Sequence, residues 1–417
     1  MNETTAAIDP GSTAWMLASS AMVLLMVPGL ALFYGGMVHR KNVLTTMMMS
    51  FVAMAVIGVQ WVLVGYMLAF GKTAGGVIGW DPALFGLSGL VHTRMLPERG
   101  VPELVFVMFQ GKFAIITPAL ISGAVAERMS FRSYLAFILL WATLVYCPLA
   151  HWVWASDGWL FKLGVLDFAG GTVVHIAAGV SALVLALFLG PRNEVARGHA
   201  VLPNNLVLTL TGAGLLWFGW FGFNAGSAVA SEHPVAGPIA GLAFTTTQSA
   251  AAAAGLSWML IERWRHGKVT SLGLASGIVA GLVAVTPAAG HIHPASALLV
   301  GALASVACFY AVQLKVKLGY DDSLDAFGVH GVGGMLGALL TGVFCFTPVE
   351  GLLGGNPGQL GKQALGVAVT LAFAGAATAV LALGLKAIWG LRVNPNQERD
   401  GLDLVVHGER GYHFDQS

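Results

Sequence analysis

Charge is scarce in this chain of 417 residues: Lys and Arg number 21, Asp and Glu 20, together 10% of the sequence. A soluble globular domain carries about 25%, so a soluble enzyme and a disordered chain are both excluded. There is no basic run and the net charge is +1, which leaves no field to gather DNA, RNA or anionic lipid. Cysteine is scarce too. Cys147, Cys308 and Cys345 are odd in number, far apart and inside apolar segments, so neither a disulfide framework nor a thiolate metal site is indicated. Met1 to Gly11 holds Glu3 and Asp9 but no Lys or Arg; the first apolar run is therefore expected to be a retained span rather than a cleaved leader. What remains is apolar and small: 56% hydrophobic residues, 55 glycines and a mean hydropathy of +0.76. Small residues let helices approach closely in lipid, and the expected class is an all-α polytopic membrane protein.

A span needs roughly 20 apolar residues. Candidate spans lie at 12–35, 43–70, 102–125, 133–154, 167–190, 203–225, 236–261, 271–288, 294–314, 326–347 and 363–391, eleven in all. An odd count puts the termini on opposite sides. With the N-terminus outside, fifteen Lys and Arg fall in inside loops or the tail, against Lys72, Arg94, Arg99, Lys162 and Lys362 outside, with Lys112 inside a span. The positive-inside rule then places the N-terminus outside and the C-terminus in the cytoplasm, across a cell (inner or plasma) membrane. The tail, 392–417, is polar and turn-rich with little helical periodicity, which by itself reads as a solvated end. Neither it nor the Gly- and Pro-punctuated loop at 71–102 is large enough for an enzymatic or sensory domain.

Two spans look alike. The fifth begins DFAGGTVVHIAAGVSALVLALFLG at Asp167, and the tenth region reads DSLDAFGVHGVGGMLGALLTGVF from Asp322. Each sets a His eight residues after an Asp, pairing Asp167 with His175 and Asp322 with His330. Eight helical residues rise about 12 Å, so each His is expected near mid-bilayer. Five spans separate the copies, which therefore enter from opposite faces, the pattern of two inverted five-helix repeats with the path between them. The expected organisation is a first half over 12–190, a second over 203–347, an eleventh helix over 363–391 and the tail over 392–417.

An ionisable residue at that depth marks function by default. A metal needs three or more convergent ligands, and no third His, Cys or carboxylate shares this level. No nucleophile with an oxyanion site and no cofactor fingerprint is present either, so neither metal nor cofactor is expected, and an enzyme is the least favoured class. Two facing neutral imidazoles share one hydrogen bond and present further groups to a guest. A bare cation in a dry conduit meets a desolvation penalty idealised at about 20 kcal/mol. A small, weakly basic solute that loses a proton escapes most of it, and imidazole relays the proton. Aromatic clusters end at the outer face of three spans: FQGKF (Phe109 to Phe113), AHWVW (with Trp152 and Trp154) and WFGWFGFNAGSA (Trp217 to Ala228). Such rings serve as interfacial belts, and together they also fit a cation–π vestibule, with Ser227 as a hydroxyl at the same level.

FQGKFAIITPALISGAVAER, DFAGGTVVHIAAGVSAL, WFGFNAGSA, DAFGVHGVGGMLGALLTGVF and LRVNPNQERDGLDLVVHGE, in this order over nearly the whole chain, resemble the ammonium transporters, the Amt branch of the Amt/Mep/Rh superfamily. The resemblance implies eleven helices in two inverted halves plus one, and a homotrimer with a pore in each subunit. It implies that Phe113, Trp154 and Ser227 recruit ammonium (or its analogue methylammonium) with support from Asp167. Phe113 and Phe223 become a stacked gate, His175 and His330 the pore proton relay, and Asp322 the structural counterpart of Asp167. The tail becomes the dock for a PII-type signalling protein. Alternatives are an electroneutral NH3/CO2 channel of the Rh kind and an ammonium sensor acting through PII. Two departures stand out: Lys112, where a small or neutral residue is expected, is read as snorkelling outward, and the stretch from Trp154 to Asp167 is one residue longer than the family pattern.

Overall fold

The computed structural model describes residues 8–90, 95–96, 99–230 and 236–412; Glu3, Arg94 and the last five residues of the tail lie outside them. The main helices are α1 (Pro10–Met37), α2 (Val43–Gln60, a π-turn at Trp61–Gly65, then Tyr66–Phe70), α3 (Glu103–Val125) and α4 (Phe131–Trp141, a π-turn at Ala142–Tyr146, then Cys147–Trp154). They continue as α5 (π-turn Gly171–Ile176, then Ala177–Leu189), α6 (Leu206–Ala230), α7 (Ala236–His266), α8 (Ser271–Val285) and α9 (Pro294–Leu318). The last long ones are α10 (π-turn Phe327–Gly331, then Val332–Phe344) and α11 (Pro357–Trp389), followed by the short α12 (Pro395–Asp400) and α13 (Leu402–His407). Among the described residues nine helices are long and apolar enough to cross a membrane, and α7 and α8 are not among them. α8 has only 15 residues, and α7 dilutes its apolar content with the stretch TTTQS. The chain is a multi-pass membrane protein.

Helix ends follow local chemistry. The Asp9 side chain caps α1 by accepting from the backbone of Gly11 and Ser12, with Pro10 at the first helical position. Pro357 likewise takes the first helical position of α11, with no side-chain cap from Asn356, six residues before the expected boundary of 363, because polar first-turn residues do not stop a helix. The surface is apolar where lipid would lie: Val59 is 61% exposed, Leu260 69% and Val380 68%. Tryptophans and tyrosines such as Trp61, Trp141 and Tyr134 fill the interior.

Helices cross where side chains vanish. A Cβ on Gly212 of α6 would lie 2.3 Å from the backbone nitrogen of Phe33 on α1. A Cβ on Gly179 of α5 would lie 2.3 Å from the Gly331 nitrogen, and one on Gly334 would lie 3.1 Å from the Gly171 carbonyl oxygen. Gly179 therefore meets Gly331 while Gly171 meets Gly334, so α5 and α10 run antiparallel through a glycine contact. That crossing brings the two histidine turns face to face.

Two small hairpins, Thr73–Ala74 with Ile78–Gly79 and Met95–Leu96 with Val101–Pro102, lie on the face where the chain starts. On the opposite face the tail departs from the solvated end that composition suggests. The Asp403 carboxylate accepts from the Leu44 and Thr45 backbone nitrogens at 2.9 and 2.7 Å, Leu402 donates to Asn42, and Glu398 takes Arg392 at 2.7 Å and the Asn193 nitrogen at 2.5 Å. Free helix N-termini draw carboxylates, and turn-rich composition does not show which ones the tail finds.

Candidate functional site

Each histidine sits in a π-turn, a rare element that recurs at functional sites. The Asp167 carboxylate accepts from the backbone nitrogens of Gly170 (2.9 Å), Gly171 (2.5 Å), Thr172 (2.9 Å) and Val173 (3.1 Å), and from the Thr172 hydroxyl. A side chain at Gly171 would lie 2.5 Å from Pro287, so the turn is pressed against the loop after α8. Asp322 does the same for the second turn, accepting from Ala326 (3.0 Å), Phe327 (2.7 Å) and Gly328 (3.4 Å). The Asp-to-His spacing is thus a cap followed by the turn it organises.

The turns place His175 Nδ1 3.2 Å from His330 Nδ1, with the rings 5.3 Å apart and 17° from parallel. Both are buried, and His175 Nε2 has no hydrogen-bond partner among the described residues. The Trp220 ring stacks on His175 at 5.5 Å and 18°, and its Nε1 donates to Thr286 Oγ1 at 2.8 Å. A lumen of about 10 Å³ runs beside this stack, lined by Leu30, Val174, His175, Phe223 and His330. It is at the size that admits about one water-sized molecule.

Phe223 lies 6.1 Å from His175, and Phe113 covers Phe223 at 4.2 Å between centroids. Trp154 stands edge-on to Phe113 at 5.9 Å and 85°, fixed by an Nε1 bond to the Asp167 carbonyl at 2.9 Å. Beyond them opens a cavity of about 360 Å³ lined by Phe113, Trp154, Ser227 and Asp167. Ser227 Oγ donates to the Phe223 carbonyl at 2.9 Å, which leaves its lone pairs toward the cavity. The sequence-predicted residues thus form one column: cavity, Trp154 and Ser227, Phe113 over Phe223, then His175 and His330. Asp322 is apart, on the tail side. Lys112 does not line the cavity; it is half-buried on the α3 face shared with Leu104 and Met108.

A model described as the Ammonium Transporter Family matches residues 14–412. The chain belongs to that family. Relatives named ammonium transporter include one from Mycobacterium tuberculosis, 50% identical over 97% of this chain and 91% of its own, and one from Aquifex aeolicus, 49% identical over 98% and 95%. Among solved structures, Saccharomyces cerevisiae Mep2 superposes with a TM-score of 0.86 at 37% identity, covering 94% of this chain and 90% of its own. One titled Sensor Amt Protein gives 0.86 at 31% identity, covering 95% and 98%.

Sequence reasoning missed several residues of this ammonium transporter family member. Trp220 lay within a quoted cluster, three residues before Phe223, and that helical spacing alone could have placed it on the pore face. Gln110 and Gln359 line the cavity with buried amides; a polar side chain in an apolar span was the available signal. On the tail face Arg192 holds Asp321 at 2.8 and 2.9 Å and Glu127 at 2.5 Å, while Arg128 donates to the Asp321 carbonyl at 2.5 Å. Burial opposes ionisation of Glu127 and Asp321, yet the bonds to Glu127 from His39, Arg192 and Asn42, and to Asp321 from Arg192, hold both carboxyls below their ordinary range. Burial pulls the Arg128 guanidinium down to about 10. The described residues contain no cluster of three or more potential metal ligands.

Proposed function

We propose that the chain is a selective ammonium permease of a cell membrane. Eleven spans form two inverted five-helix halves, 12–190 and 203–347, with the helix of 363–391 added and the tail of 392–417 in the cytoplasm. The cavity face is outside. Ammonium rests against the Trp154 and Phe113 rings, with Ser227 Oγ accepting a hydrogen bond and the Asp167 carboxylate supplying potential from behind its capped turn. Asp167 itself stays out of the path, because its oxygens are taken by five donors.

Ammonium gives its proton to solvent in the outer cavity before the Phe113–Phe223 gate, since a small apolar lumen accepts NH3 and disfavours NH4⁺. The carrying observation is the Nδ1–Nδ1 contact of 3.2 Å. One Nδ1 must donate and the other accept, so the two rings hold opposite tautomers. The lumen therefore meets one Nε2 lone pair and one Nε2–H, an arrangement that both binds NH3 and passes a proton along. Substituting both His175 and His330 by Ala is expected to abolish ammonium transport or its selectivity against K⁺; selective transport by that variant would sink the relay.

The narrowness of the lumen also favours a second reading, electroneutral passage of NH3 or CO2, which carries no current. A sensor role through a PII-type protein on the tail face is the third; flux far above background argues against it as the main role. The reading includes a homotrimer with a pore in each subunit, as the family resemblance implies.

A further inference from the structure

The helix that stands outside the two halves, α11, carries buried amides toward the outer site. Gln363, 1% exposed, accepts from the Leu166 nitrogen at 2.7 Å and donates to the Leu166 carbonyl at 2.7 Å and to the Ala338 carbonyl of α10 at 3.1 Å. One turn earlier Gln359, also 1% exposed, donates to the Gly164 carbonyl at 2.9 Å. The pair therefore grips 164–166 as a neighbouring strand would, through the backbone groups of a segment that has no sheet to join. Leu166 immediately precedes Asp167, whose carbonyl fixes Trp154 and whose carboxylate caps the His175 turn. The matching segment ahead of Asp322 is tied by the Arg128 and Arg192 guanidinium groups instead.

We propose that Gln363, assisted by Gln359, is a positioning residue of the outer site: it sets the height and direction of Asp167 and Trp154 for capture of an ammonium-class cation. This rests on the reading of Trp154 as part of the capture site. Loss of the clamp lets the 164–166 segment shift, and a capture geometry built from the Trp154 and Phe113 rings and the Ser227 hydroxyl tolerates little displacement. Binding is weakened first, because the histidine turn keeps its own cap on Asp167.

The test is methylammonium uptake into proteoliposomes across a concentration series, for the wild type and for Gln363→Leu, Gln359→Leu, Trp154→Leu and Thr378→Val. Thr378 also lies buried on α11, but its hydroxyl bonds Ser181 and Trp141 and touches nothing near the segment. Gln363→Leu is expected to raise the half-saturating concentration by about tenfold while maximal uptake falls by less than about threefold. Gln359→Leu should raise it by a smaller factor, and Thr378→Val should leave it unchanged. Wild-type half-saturation in both glutamine variants overturns the proposal, as does a fall in maximal uptake alone that Thr378→Val reproduces. If Gln363→Leu does not fold, the milder Gln363→Asn decides, because Gln363 does not line the cavity whereas Gln359 does. Unchanged half-saturation in Trp154→Leu overturns the capture-site reading itself, whatever the glutamine variants do.

Discussion

Replacing Asp167 by Asn keeps the shape of the side chain and removes half of what it does. The carboxylate spreads five accepted bonds over its two oxygens, four from consecutive backbone nitrogens at 2.5–3.1 Å. Asn offers one oxygen, and its NH2 group turns toward nitrogens that can only donate. Two backbone donors are then left buried without an acceptor. A hydrogen bond to a charged group contributes about 1.5–3 kcal/mol, so the change costs about 3–6 kcal/mol. That is a large share of the roughly 5–15 kcal/mol by which proteins are stable. Asp322→Asn touches three donors, one of them at 3.4 Å, and should cost less. The assay is thermal unfolding of purified protein in detergent, alongside methylammonium uptake. Asp167→Asn should unfold at clearly lower temperature than Asp322→Asn and lose uptake, because the turn that holds His175 loosens. An Asp167→Asn variant that unfolds like the wild type would refute the reasoning, as would the reverse order of the two.

Other expectations follow from the same geometry. Trp154→Leu removes a ring worth about 0.5–2 kcal/mol to a cation, so half-saturation for methylammonium should rise about two- to thirtyfold; an unchanged value would contradict it. Gly401, at φ +101° with a Cβ position 2.6 Å from Lys41 Cβ, joins the tail helices. Gly401→Ala should loosen the docked tail by about 1–3 kcal/mol and speed its removal by protease, and unchanged protection would count against the docking. Glu127 and Asp321 titrate below their unfolded values, so they add stability above the ordinary carboxylate range and lose it progressively as pH falls from that range toward their lower folded-state values. Unfolding temperature should therefore drop between about pH 5 and pH 3, and less so in Glu127→Gln, whose starting stability is lower; a flat profile in the wild type would show that the cluster contributes nothing.

The site was legible where physics makes a residue expensive. A histidine within an apolar span announces itself, and the repeated Asp spacing tied His175 to His330 before any contact was known. Aromatic clusters named Phe113, Trp154 and Phe223 as neighbours of one face. The π-turns were not legible, because nothing in residue order near Gly171 or Phe327 distinguishes them from ordinary helix. The role of Asp167 was half legible: its spacing marked it, whereas its capping bonds appear only once the backbone turns back on the carboxylate. Long-range polar matches were out of reach. Asp403 meets Thr45 across 358 residues, and Gln363 finds Leu166 across 197. Composition reports that these side chains are polar, but the surface each one satisfies exists only in the fold. For α7 the expected span at 236–261 coincides with a helix, but its Ala- and Thr-rich interior leaves it outside the nine described helices apolar enough to cross a membrane.

On the proposed mechanism, a proton and NH3 part company above the gate and both pass the histidine pair. The direct measurement is the transmembrane current of proteoliposomes holding the purified protein, after a step of ammonium and, separately, of K⁺. Charge relay requires current with ammonium and none with K⁺. Absence of current with ammonium, while the vesicle interior demonstrably turns alkaline, would contradict the relay and leave neutral NH3 as the species that crosses.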